Sequence, residues 1–252
     1  MKKHCRGPSC EATRLIKAHI IPRAFARMHQ SRNKKHNLEL SLTRVRPAQL
    51  GIFDKDILCE RCDGLLGKHD DYLYDVIRGF ALPPGLSKCD DFSDPNVNCD
   101  ALCKGILAIL WRASLTSHPA YEGVSLGPYE PMARNILFGL RPLADMPELE
   151  ITIQYYVSDH FGDKVNLFYT LPTRTKFQGR NGFGFGLNGF RIAAKIDNRL
   201  FPSFYGPYII NHTGMFRGAV IELEGTPEFS RMADIAVADM RRKGITPPGL
   251  SS

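Results

Sequence analysis

Two short-range cysteine pairs constrain this chain more than any other feature. Cys5 and Cys10 stand in HCRGPSC, Cys59 and Cys62 in ILCERCDG, and His19 lies between them in KAHIIPRAF. Two tight turns whose thiolates converge are what a tetrahedral zinc ion requires, and the chain between them is free to fold. Cys59-x2-Cys62 has the usual knuckle spacing, and Cys5-x4-Cys10 is looser. The same residues admit two disulfides or unrelated buried thiols. Seven cysteines cannot all pair within one chain. No apolar run follows Lys2, Lys3 and Arg6 as it does in a secretory signal. The expected setting is a reducing, cytoplasmic one, in which paired cysteines more often hold metal than form disulfides.

Charge singles out the same region. Residues 1–60 carry thirteen Lys and Arg against five Asp and Glu, a net +8, which leaves −1 for the rest of the chain. Cations clustered beside a metal knuckle suit phosphate neutralisation, the main affinity term for nucleic acid. The plain alternative is a solvated basic face. Apolar runs stop at the length of Ile106–Trp111, which is too short to span a bilayer. At 252 residues the chain is one large domain, or a small module joined to a larger one. The expected division is a zinc module over 1–80, a boundary loop over 81–98 and an α+β domain over 99–252.

Periodicity places the motifs. Leu15 to Ile21 reads as a strand running into Pro22, with a short helix in RAFARMHQ and a basic loop or hairpin over 31–49. From Asp63, Leu65, Leu66, His69, Tyr72, Leu73, Val76 and Ile77 form one helical stripe. Asp63 and Asp70, seven apart, share a face at its edge. They read as ligands of a hard cation, or as a helix cap and a solvated acid. His69 reads as a further ligand or as a packed histidine. Residues 99–117 and 131–140 read as helices. Cys99 and Cys103, with Cys89, admit a second metal site or, more simply, buried thiols. From Leu149 the period becomes two: ITIQYYVS, VNLFYTLP, FGFGLNGFRIAAKI and AVIELEG read as strands of an antiparallel sheet, and 228–243 as a closing helix. The glycines of NGFGFGLNGF lack the Lys-Ser/Thr of a phosphate loop and alternate like a strand, so a bulge or hairpin explains them.

At the cysteines and HIIP the chain resembles the HNH endonuclease, or treble-clef nuclease, superfamily over roughly residues 1–78. ILCERCDGLLGKHDDYL with ILAILWRASLTSHPAYEGVSLGPYE is similar to a widespread, poorly characterised group of bacterial proteins, in which an HNH-like zinc module precedes a larger domain. The resemblance implies an α+β fold whose N-terminal part is a ββα zinc-knuckle module, ahead of a mixed helix and antiparallel-sheet domain. It implies structural Zn²⁺ on Cys5, Cys10, Cys59 and Cys62, His19 as general base, and a divalent ion, Mg²⁺ or Mn²⁺, between hairpin and helix. The chain departs from the pattern at Ala18, where an acid or histidine usually precedes the base, and at Asp63, where His or Asn usually follows the second knuckle. The candidates for its central asparagine are Asn33 and Asn37. Asp63 with Asp70 would restore a hard-oxygen site, with the His69 imidazole as a further ligand.

Two functions follow from these readings. One is a metal-dependent nuclease acting on DNA, with Arg14, Lys17, Arg23 and Arg27 on phosphates. The other is a non-catalytic zinc module that binds nucleic acid or a protein, in which His19 only orients a zinc ligand. A pocket for a small ligand among the C-terminal strands is a third and weaker reading.

Overall fold

The computed structural model describes residues 3–27, 37–40, 45–48, 51–159 and 169–244, with backbone alone for 37–40, 45–48 and parts of the last helix. The fold is α+β. In chain order come β1 (Ala18–His19), α1 (Arg23–Arg27), β2 (Asn37–Leu40), β3 (Val45–Ala48), β4 (Phe53–Asp54) and α2 (Glu60–Gly79). Then follow β5 (Asp91–Asp94), α3 (Cys99–Leu115), α4 (Glu130–Leu137), β6 (Leu149–Val157), β7 (Thr173–Phe177), β8 (Arg180–Leu187) and β9 (Phe190–Ile196). The chain closes with α5 (Ile210–Thr213), β10 (Phe216–Glu222) and α6 (Pro227–Arg242).

β1 pairs antiparallel with β4, which places His19 opposite Phe53, and α2 follows six residues later. The expected basic hairpin is visible as the β2–β3 pair. Asn37 opens β2, whereas Asn33 lies outside the described residues. The expected short helix ends at Arg27 within the described residues.

The large sheet has the order β5-β10-β6-β9-β8-β7. It is not wholly antiparallel, as expected from the sequence, because β10 runs parallel to β6. Strands β7 to β9 extend the sheet on one side of β6. The chain then returns through residues 197–215 and lays β10 along the other side in the direction of β6. Two tight hairpins fix the register. Asn188 (φ 44°) and Gly189 (φ 90°) join β8 to β9, and Gln178 (φ 48°) and Gly179 (φ 81°) join β7 to β8. Consecutive positive φ values twist a two-residue loop to match the strands it joins. Of the expected strand VNLFYTLP, Val165 to Phe168 lie outside the described residues, and Tyr169 bridges Leu187.

One hydrophobic core runs from the cysteine pairs to the sheet. Its axis is α3, buried on almost every side. Gly105 lets α2 approach closely: a Cβ there would lie 2.6 Å from Leu73 Cβ and 2.7 Å from the His69 carbonyl oxygen. Phe80, just past α2, packs against Tyr155 and Phe190 of the sheet with ring centroids 5.3 and 5.0 Å away. The stretch 81–98, expected as a boundary loop, supplies the edge strand β5 to the same sheet. Trp111, expected in the core, is fully buried and donates from its indole N–H to Glu130 at 2.8 Å.

Candidate metal centre and basic face

The first cysteine pair sits in a loop closed by backbone bonds from Cys5 N–H to the Ala12 carbonyl (2.9 Å) and from Cys10 N–H to the Gly7 carbonyl (3.3 Å). The second pair opens α2: Cys59 is the residue before its first turn, and Cys62 lies within that turn. Backbone N–H groups point at the Cys5 sulfur from Gly7 (3.4 Å) and from Cys59 (3.3 Å), which ties the two pairs together. All four Sγ atoms lie within 4.8 Å of one another, and Cys10 and Cys59 Sγ are 3.7 Å apart. Tetrahedral zinc with bonds of about 2.3 Å sets its sulfurs about 3.8 Å apart, so the donor set fits and can hold a metal ion such as zinc.

Burial pushes the Cys5 and Cys62 thiols up, because it disfavours the charged thiolate. The Cys10 thiol is lowered to about 7, first by the Ala12 backbone N–H and then by its sulfur neighbours. The exposed Arg61 guanidinium bonds to Cys10 and adds positive charge beside the cluster. Gly7 is required here, because a Cβ would run into Cys62 Sγ. Cys99 and Cys103 are buried and Cys89 is exposed. Among the described residues only Cys5, Cys10, Cys59 and Cys62 form a metal-competent group, which leaves Cys99 and Cys103 as buried thiols.

His19 ends β1 with its ring 5.9 Å from that of Phe53. Its Nε2 is buried and has no hydrogen-bond partner. Burial lowers its pKa, and Arg23, Arg112 and Arg27 lower it further, so the imidazole is neutral at pH 7.

The three further ligand candidates do not converge. His69 turns toward α4 and bonds through Nε2 to the Leu137 carbonyl (3.0 Å), the packed-histidine alternative. Asp70 is clamped by Arg112, whose two terminal nitrogens reach its two oxygens at 2.7 and 2.6 Å. Asp63 is half-buried, and burial raises its pKa. Arg112, only 1% exposed, brings a fixed positive charge to the place where the resemblance puts a divalent ion. It acts electrostatically on His19 and Asp63 as well as on Asp70.

Arg14, Lys17, Arg23 and Arg27 are all exposed. Lys17 lies over the Phe53 ring at 5.1 Å, and Arg23 and Arg27, one helical turn apart on α1, lie near His19. Phe53 is 37% exposed among these cations, which makes it the aromatic of a basic patch. Asp54, its neighbour, is held from α3's end by the Thr116 hydroxyl at 2.5 Å. Sequence reasoning missed Phe53, Arg61 and Arg112. Arg112 had a signal, since a lone arginine in ILAILWRASL must be paired if it is buried. Comparison with family models, curated proteins and solved structures finds no match to this chain.

Proposed function

We propose that the N-terminal region, through α2, is a zinc-stabilised, HNH-like treble-clef part of the fold that binds nucleic acid. The observation that carries this reading is the convergence of Cys5, Cys10, Cys59 and Cys62 between a loop and the start of α2. Zinc there would fix the β1–β4 pair and α1, which present Lys17, Arg23, Arg27 and Phe53 together. Cations neutralise phosphates, and an exposed ring stacks on bases.

Phosphodiester hydrolysis is the second reading, favoured by the neutral, unpartnered His19 Nε2. A general base needs such a lone pair within reach of water. It ranks second because that nitrogen is shielded from solvent and Arg112 neutralises Asp70. Asp63 is the carboxylate left to hold Mg²⁺ or Mn²⁺, which would serve as Lewis acid.

One experiment tests both readings. Zinc-loaded protein is titrated with duplex and single-stranded DNA and with RNA over a range of salt, then assayed for cutting with Mg²⁺ or Mn²⁺ and with EDTA. The expected binding weakens steeply with salt, and Arg23→Ala lowers the slope of log K on log salt by about 1. Binding that ignores salt and Arg23 would sink the proposal. Metal-dependent cutting that falls roughly 100-fold or more in His19→Ala, with zinc content intact, would raise the second reading above the first.

A further inference from the structure

A second candidate site lies on the face of the large sheet turned away from α3. Directly paired residues share a face, so Glu150 with Lys195, Thr152 with Ala193 and Gln154 with Arg191 form three successive rows on this side. Ala219 stands beside Gln154 in the same layer. The returning segment 197–209 crosses above these rows. Between them lies a cavity of about 190 Å³.

Its construction is specific. The floor offers Thr152, Gln154 and Arg191, and the Arg191 guanidinium donates to the Gln154 amide oxygen at 2.8 Å. Ala193 and Ala219 leave the space, because each presents a methyl where its neighbours carry long side chains. The walls are rings: Phe177 from the sheet, and Phe204, Tyr205 and Tyr208 from the crossing segment. Phe204 is 60% exposed at the rim and lies 4.3 Å from the Tyr205 ring. Gly182 leaves room for the Phe177 ring, whose edge would lie 2.8 Å from a Cβ there.

The crossing segment is anchored from beneath. Lys195 and Glu150, both fully buried, pair at 3.0 Å. Lys195 donates to the carbonyls of Asp197 (2.6 Å) and Arg199 (2.9 Å), and Glu150 accepts from Phe201 N–H at 2.9 Å. A buried ion pair that also bonds three backbone groups of one loop holds that loop in place.

We propose that this cavity binds the planar heteroaromatic ring of a nucleotide. An apolar cavity of about 150 Å³ suffices for a benzene ring. Flat aromatic walls suit a flat ring, and the Gln154–Arg191 edge suits ring nitrogens and carbonyl oxygens. The ring arrives either on a free nucleotide or within a single strand. The proposal stands apart from the metal centre and does not require it to contact nucleic acid.

The test is calorimetric titration of the full zinc-loaded chain with AMP, GMP, CMP and UMP and with a mixed-sequence single-stranded 12-mer. It is repeated on Ala193→Leu, which fills the cavity, and on the rim variant Phe204→Ala, which leaves the core untouched. Melting curves establish that both variants are folded. The expected result is binding of at least one probe that weakens roughly tenfold to a hundredfold in each variant. Loss confined to the 12-mer assigns the ring to a strand, and loss for a mononucleotide assigns it to a free ligand. Failure of every probe to bind, or binding undiminished in Phe204→Ala, overturns the proposal.

Discussion

Arg112 and Asp70 show most clearly what single residues decide in this fold. Breaking a buried pair strands one charge, at a cost of roughly 3–5 kcal/mol, whereas replacing both partners with apolar residues is often nearly neutral. Arg112→Met should therefore destabilise strongly, and Arg112→Met with Asp70→Leu should recover most of the loss in a urea melt. If the double variant were no better than the single, the pair would not be the reason. Gly7 makes a similar point at the metal centre: Gly7→Ala should lower zinc stoichiometry, read by a colorimetric chelator, because its methyl meets Cys62 Sγ. The histidines supply a pH prediction. His19 and His69 are both lowered from 6.5, by burial first, so below that value the unfolded chain binds protons that the folded chain does not. Stability should fall as pH drops from 7.5 to 5.5, and His69→Gln should flatten that fall; equal slopes in the two proteins would refute it. The cysteine site was legible because local spacing encodes its two halves. Asp70 was not, because its partner lies 42 residues away and no local pattern joins them.

At the scale of elements, periodicity located α2, α3, α4 and α6 within a few residues. α2 and α4 each have a buried stripe and α3 is buried on almost every side, so the hydrophobic pattern follows directly. It also located β6, β8, β9 and β10. It missed β5 and β7, which are short edge strands with polar sequences (DFSD, TRTKF), since an edge strand has little buried surface to imprint a pattern. The parallel β10–β6 pairing was hidden for a different reason: strand direction depends on the path of residues 197–215, not on the strands' own residues. Gly105 belongs to this scale too. In sequence it only weakens a helix, but in the fold it is the contact point of α2 and α3. Gly105→Ala should destabilise by about 1–3 kcal/mol, as overpacking does, although alanine is the better helix former. A neutral or stabilising effect in thermal melts would mean that the two helices have room to part.

At the scale of the whole molecule, the expected division at 81–98 meets a continuous core. Cys5, Cys59 and Cys62 belong to the same buried cluster as Trp111, Phe190 and Val220. Asp70 is neutralised from α3, Asp54 is held by Thr116, and Phe80 packs into the sheet. Charge and cysteine spacing set the first eighty residues apart in composition, but composition reports which surface does chemistry and not which surfaces fold together. Two outcomes follow. Stripping metal from the full chain should lower its melting temperature through a single transition, because ligand loss is felt by the whole cooperative unit. A fragment of residues 1–98 would expose Leu66, Leu73 and Ile77 and leave Asp70 without Arg112. It should therefore stay unfolded even with zinc in excess, read by circular dichroism and amide NMR dispersion. A dispersed spectrum with one zinc per fragment would instead make the metal centre an autonomous module, with α3 and the sheet as a platform that it merely rests upon.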